Sequence, residues 1–155
     1  MPAKKRHPLF QAQAGTVFAV AIAAGKWGFV RFYHGMGMAV LPLVGSSPQM
    51  PDLDWKNPPK CWILFSFALS GDKTEVVLLG TIAFENEAAA WGPPTFSPPD
   101  VIEEYYRIHD RGVTRKHATA VDVRGMVRKR VVTPADLAEF LQERLRNGEL
   151  KPVRT

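Results

Sequence analysis

Residues 15–33 read Gly15-Thr-Val-Phe-Ala-Val-Ala-Ile-Ala-Ala-Gly25-Lys-Trp-Gly-Phe-Val-Arg-Phe-Tyr33. The stretch Gly15 to Ile22 is rich in β-branched and aromatic residues, and Val17 to Ile22 suit a strand buried on at least one face. Gly25-Lys26 is a turn signal, and Trp27 to Tyr33 restarts the strand pattern. So short a gap between two such runs predicts a β-hairpin. A chain that opens this way is expected to be mainly β.

Further strands are expected on either side of loop signals. Gly35 and Gly37 mark a second turn, and Met38 to Val44 reads as a third strand, with Pro42 placing it at an edge or bulge. Residues 45–60 carry Pro48, Pro51, Pro58 and Pro59 and read as a long loop. Trp55 lies in it, either anchoring the loop to the core or exposed for a partner. Trp62 to Leu69 and Glu75 to Phe84 are strand candidates around a turn at Ser70-Gly71-Asp72. Ala88 to Ala90 suits a short helical turn, stopped by Trp91-Gly92-Pro93-Pro94. Phe96-Ser97-Pro98-Pro99 reads as irregular and partly polyproline-like. Tyr105 to His109 and Met126 to Val132 are the last strand candidates, while Val113 to Val123 suits a strand or a short helix.

One helix is expected, over residues 133–147. Thr133 is a good N-cap, Pro134 fits the first helical position, and Asp136 completes a capping-box-like pair. Leu137, Phe140, Leu141 and Leu145 form one apolar stripe. Arg144 and Arg146 suit the negative helix end, and Gly148 supplies the stop. The expected fold is therefore mainly β (α+β): a twisted antiparallel sheet or partly open barrel with the C-terminal helix packed on it. Residues 1–13 read as a flexible or loosely docked arm, and residues 14–150 as a single globular domain.

Composition narrows the class. An apolar fraction of 46% supplies enough material for a core. Cys61 is the sole cysteine, so no intrachain disulfide forms, and a reducing, cytoplasmic setting is expected. The longest apolar run, Val17 to Ala24, falls far short of the roughly 20 residues a spanning helix needs. The net charge of +5 is uneven. Residues 1–106 carry eight Lys/Arg and nine Asp/Glu, whereas residues 107–155 carry twelve and six. A positive C-terminal third favours encounter with acidic partners, protein or nucleic acid.

Motifs for cofactor chemistry are missing from the sequence. Gly35-Met36-Gly37 lacks the third glycine of a phosphate loop. No histidine among His7, His34, His109 and His117 pairs with another at i, i+4 or with a cysteine at zinc-ligand spacing. Cys61 begins an apolar run and reads as a small buried hydrophobe. Trp27, Trp62 and Trp91 read as core or corner packing. No cofactor, metal or catalytic residue is assigned; an enzyme site assembled from Glu103, Glu104, Tyr106 and His109 is a remote alternative. The densest charged feature is Arg124-Gly-Met-Val-Arg128-Lys129-Arg130. On a strand, Arg128 and Arg130 would face one side and Lys129 the other.

Several of these segments, in this order, resemble the Imm26-type immunity proteins of bacterial polymorphic toxin systems. They are Gly15-Thr-Val-Phe-Ala-Val20, Gly25-Lys-Trp-Gly-Phe-Val-Arg31, Pro94-Thr-Phe96 and Tyr106-Arg-Ile108-His-Asp-Arg-Gly112. Thr16 stands where that family commonly has an acid. The resemblance spans residues 15–147 and implies a predominantly β fold, no catalysis, and binding of a cognate toxin domain whose active site is occluded. A basic chain would suit an acidic toxin surface, or a toxin of another chemistry. The resemblance transfers no contact residues; the residues' own character makes Trp55, Arg124, Arg128 and Arg130 the expected contacts. The alternative is a nucleic-acid-binding β module using the C-terminal basic face, with Tyr105 and Tyr106 as stacking groups.

Overall fold

The computed structural model describes residues 8–66 and 72–153. The opening hairpin is present: β1 (Thr16–Ala23) pairs antiparallel with β2 (Lys26–Phe32), Val17 opposite Arg31 and Ala21 opposite Trp27. Gly25 takes the turn with φ +69°. β3 (Gly37–Val40) follows, and then β4 (Leu43–Val44). The expected strand over Met38 to Val44 is thus two strands. Pro42 lies between them and has no N–H to continue a ladder, while its carbonyl accepts from Lys151 N.

β5 (Trp62–Ser66) and β6 (Val76–Thr81) come next. The expected ends of the Trp62 to Leu69 strand and part of the Ser70 to Asp72 turn lie outside the described residues. A short 3-10 turn over Ala89–Trp91 occupies the expected helical turn. Then come β7 (Thr95–Ser97), β8 (Tyr106–Asp110) and β9 (Val113–Ala118). β7 corrects the irregular reading of Phe96 to Pro99: Pro98 and Pro99 end a strand that antiparallel pairing with β8 has already built. The last strands are β10 (Val127–Arg128), β11 (Val131–Val132) and, beyond helix α1 (Pro134–Arg146), β12 (Lys151–Pro152).

Among the described residues these strands form three sheets. The large one runs β11-β5-β3-β2-β1-β6, antiparallel except where β11 joins β5 in parallel. A smaller one runs β10-β7-β8-β9, and β12 pairs with β4. The fold is mainly β with one C-terminal helix on the large sheet, and no barrel closes. The expected single strand over Met126 to Val132 is a bridge between the sheets: β10 adds to β7, and β11 adds to β5. Lys129 N donates to Phe96 O in one sheet, and Phe65 N donates to Arg130 O in the other.

Strand alternation gives the large sheet two apolar faces. Phe18, Val20, Val30, Phe32 and Val40 face α1 and pack with Leu137 and Leu141. The opposite face, with Ala19, Phe29 and Leu41, is covered by Leu53 and Trp55 of the long loop and by Val153. Helix and loop therefore do the same job on opposite sides. The expected arm over residues 1–13 is in part a piece of the core. Pro8–Gln11 form a 3-10 turn, and Leu9 is 1% exposed in the helix-side cluster. An apolar side chain with a place under the sheet edge gains more by docking than by remaining in water.

α1 begins as expected. Thr133 Oγ1 accepts from Asp136 N at 3.1 Å, and Asp136 Oδ2 accepts from Thr133 N at 3.3 Å. Thr133→Ala removes one of these bonds and is expected to cost about 1 kcal/mol in urea unfolding. Thr133→Ser keeps the acceptor and should unfold close to wild type.

Candidate functional site

Two regions stand out. The first is a cavity of about 430 Å³ on the loop-covered face of the large sheet. Its floor comes from adjacent strands, with Arg31 directly across from Ala39, and Leu41 and Cys61 beside them. Trp55, Tyr33 and Phe84 form walls, and Lys56 and Glu85 also line it. Trp55, expected as a partner contact, is half-buried here rather than free.

Arg31 is unusual for a central strand, at 6% exposed. Its guanidinium carbon lies 3.7 Å from the Phe84 ring centroid and 5.3 Å from that of Trp55. Nη2 donates to Ile82 O at 2.7 Å and Ala83 O at 3.0 Å. Nε is buried without an acceptor, and no carboxylate among the described residues forms an ion pair with Arg31. Burial pulls the guanidinium's pKa down from its ordinary value, but an arginine starts so high that it stays charged. Burial likewise pushes the Cys61 thiol up to about 11. Its Sγ donates to Pro59 O at 3.1 Å, so Cys61 is a protonated packing group rather than a nucleophile.

The second region is the small sheet with its loops. The exposed large apolar side chains among the described residues are Leu78, Val101, Ile102, Val113, Val121, Val127 and Val131. All but Leu78 fall within residues 101–131, and of these Val131 belongs to β11 of the large sheet. The same segment holds eight Lys/Arg against four Asp/Glu. Val101 and Ile102, 98% and 91% exposed, sit at the tip of the β7–β8 loop. Asp100 Oδ1 accepts from Ile102 N at 2.9 Å and Glu103 N at 2.7 Å. Arg107 Nη2 donates to Asp100 Oδ2 and Pro98 O, and Arg107 pairs with Glu103. The N–H groups of Glu103 and Ile102, and Arg107 after them, hold the Asp100 carboxyl below the usual carboxylate range. Two apolar side chains are thus presented to solvent on a hydrogen-bonded turn.

The expected arginine contacts are dispersed. Arg124 is exposed on the turn after β9, and Arg128 is exposed in β10. Arg130 lies between the sheets and shares a groove with Asp136, Glu139 and Glu143 of α1. Lys129 Nζ lies 4.8 Å from the Phe65 ring centroid. Trp55 belongs to the other region. Sequence reading missed Arg31 and the Val101-Ile102 tip. Alternation placed Arg31 among core positions of a strand, which was a signal; nothing local marks Val101-Ile102 as exposed.

Among Glu103, Glu104, Tyr106 and His109, the residues of the enzyme alternative, no hydrogen bond or ion pair joins one to another. Glu103 is turned to Arg107, and Tyr106 packs against Phe96 at 6.1 Å between ring centroids. His109 instead meets two hydroxyls, Ser97 Oγ at 2.8 Å and Thr114 Oγ1 at 3.2 Å. A neutral imidazole satisfies both, donating from one nitrogen and accepting at the other. Burial, then Lys129 and Arg107, hold its pKa below the ordinary 6.5. The folded protein therefore takes up this proton less readily than the unfolded chain. The associated stability is present above the unfolded pKa and is lost as pH falls through the lowered folded value. Melting temperature is expected to fall as pH drops through about 6.5, the ordinary imidazole value, and on toward the lowered folded value, and His109→Asn should flatten that fall.

No helix among the described residues is long and apolar enough to cross a membrane. No protein-family model matches the chain, and no curated protein or solved structure is significantly similar to it.

Proposed function

We propose that this chain is an immunity-type binding protein that neutralises a toxin domain by covering its active site. The contact surface is the apolar and basic segment of residues 101–131. The observation that carries this reading is the concentration of exposed apolar side chains in that segment, which also holds exposed Arg124 and Arg128. Apolar side chains left exposed in one segment are candidates for association, and arginine with apolar residues is the composition of protein interfaces. The Asp100–Arg107 bonds restrain the tip before contact, so less entropy is lost on binding. The excess of Lys/Arg over Asp/Glu across residues 101–131 favours an acidic partner and speeds its capture.

Nucleic acid is the second reading, supported by the exposed Arg115, Lys116, Arg124 and Arg128. Its aromatic half is weaker. Tyr105 is packed against His117 with ring centroids 4.0 Å apart, and Tyr106 against Phe96, so neither ring is free on both faces. A phosphate backbone also gains little from Val101 and Ile102.

The test is recovery of the tagged chain from its own cells, with nuclease treatment and washes at low and high salt. The expected result is one polypeptide, held at stoichiometric amount through high salt, that arrests growth when expressed alone but not with the chain. Recovery of nucleic acid that high salt releases would replace this reading with the second.

A further inference from the structure

The cavity beneath Trp55 has a feature that packing alone does not explain. A charged guanidinium in an apolar wall is costly unless its charge and N–H groups are answered. Phe84 and Trp55 answer part of the charge through their ring faces, and two carbonyls answer Nη2. The Nε–H has no acceptor, and none is formed by Nη1 among the described residues. Around this cation the floor is Ala39 and Leu41 and the walls are aromatic. Cavities of this size and character hold small organic groups oriented by a few polar contacts.

We propose that this cavity binds a carboxylate carried on an apolar, preferentially aromatic, body. The carboxylate accepts from Nη1, which unlike Nε is not sealed from the cavity, and the body lies over Ala39 and Leu41 against Trp55 and the Phe84–Tyr33 pair, whose rings stack on each other at 5.4 Å between centroids. Inorganic anions lack the apolar body, and amides lack the charge; both are poor occupants. Lys56 and Glu85 also line the cavity with opposite charges, so buried Arg31 sets its preference for an anion. The same chemistry is available from a free aryl carboxylate or from the C-terminus of a peptide ending in phenylalanine. This site does not depend on the toxin reading, because it uses none of residues 101–131.

The experiment titrates the full chain with hydrocinnamate and with its amide, by calorimetry and thermal shift. In parallel it titrates a short peptide ending in phenylalanine, with free or amidated C-terminus. The carboxylate of at least one pair is expected to bind saturably and raise the melting temperature, and its amide to bind about 10-fold to 100-fold more weakly, the worth of a charge-assisted hydrogen bond. Which pair responds identifies the source. Arg31→Met should lose the preference for carboxylate over amide, and Arg31→Lys should recover it only in part, having no fork. Ala39→Leu, which fills the floor and leaves Arg31 intact, should abolish binding even if Arg31→Met fails to fold. Val101→Asp with Ile102→Asp should leave binding unchanged. Equal affinity for acid and amide, no binding of either carboxylate, or full affinity in Ala39→Leu overturns the proposal.

Discussion

Replacing Val101 and Ile102 together by aspartate is expected to weaken partner binding by roughly 100-fold or more, while the melting temperature stays within about 2 °C of wild type. Both side chains are almost wholly exposed, so neither stabilises the fold by burial. Surface changes away from structural contacts cost little. The turn itself survives, since it is held by Asp100 and Arg107. In a complex the same side chains would be desolvated, and apolar anchors at an interface centre cost about 2 kcal/mol or more when removed. Two aspartates there add desolvation and, against an acidic partner, repulsion. Surface plasmon resonance with the recovered partner reads the effect mainly as faster dissociation. Arg128→Glu should instead slow association and reduce its dependence on salt. Unchanged affinity in the double variant would move the interface away from this loop, and with it the proposal.

The largest effect on stability is expected where α1 meets the hairpin. Leu141 is fully buried. A Cβ added at Gly28 would lie 2.5 Å from its Cδ1. The helix approaches β2 this closely only because position 28 has no side chain. Leu141→Ala leaves a cavity and should cost about 2–5 kcal/mol, a large share of the roughly 5–15 kcal/mol that holds a domain together. Melting should fall by several degrees for each 1–2 kcal/mol lost, or about 5–15 °C in total. Gly28→Ala should also destabilise, by overpacking. The pair is coupled: in the Leu141→Ala background the added methyl meets space, so Gly28→Ala should cost less there than in wild type. Urea unfolding of the four proteins checks this. Strict additivity would mean that α1 is not seated on Gly28.

Much of the architecture was legible in the chain. The hairpin was visible because residues 16–33 satisfy strand period and turn chemistry together. α1 was visible because its cap, stripe and stop all lie within one stretch, and the capping box forms as the spacing requires. β7 was hidden by its prolines, which follow the strand rather than interrupt it. β10 and β11 were hidden because two-residue strands have no period of their own. Each exists only through a parallel neighbour far away in sequence, Thr95-Phe96 for β10 and Phe65-Ser66 for β11.

The candidate sites divide in the same way. Sequence identified a basic C-terminal third and Trp55 as a notable residue of a long loop. It read Arg128 and Arg130 as neighbours on one strand, whereas the chain crosses between two sheets at Lys129-Arg130. Arg31 has strand-like neighbours on both sides, and its burial depends on Trp55, Ile82, Ala83 and Phe84, more than 20 residues distant in each case. Local properties, namely alternation, capping, turn residues and charge balance, were therefore determined by the sequence read along its length. Which strands share a sheet, which side chain carries an unanswered charge, and which apolar residues remain in water were decided only by tertiary structure. Those outcomes depend on what long-range packing covers, and a residue's own neighbours in sequence do not contain that information.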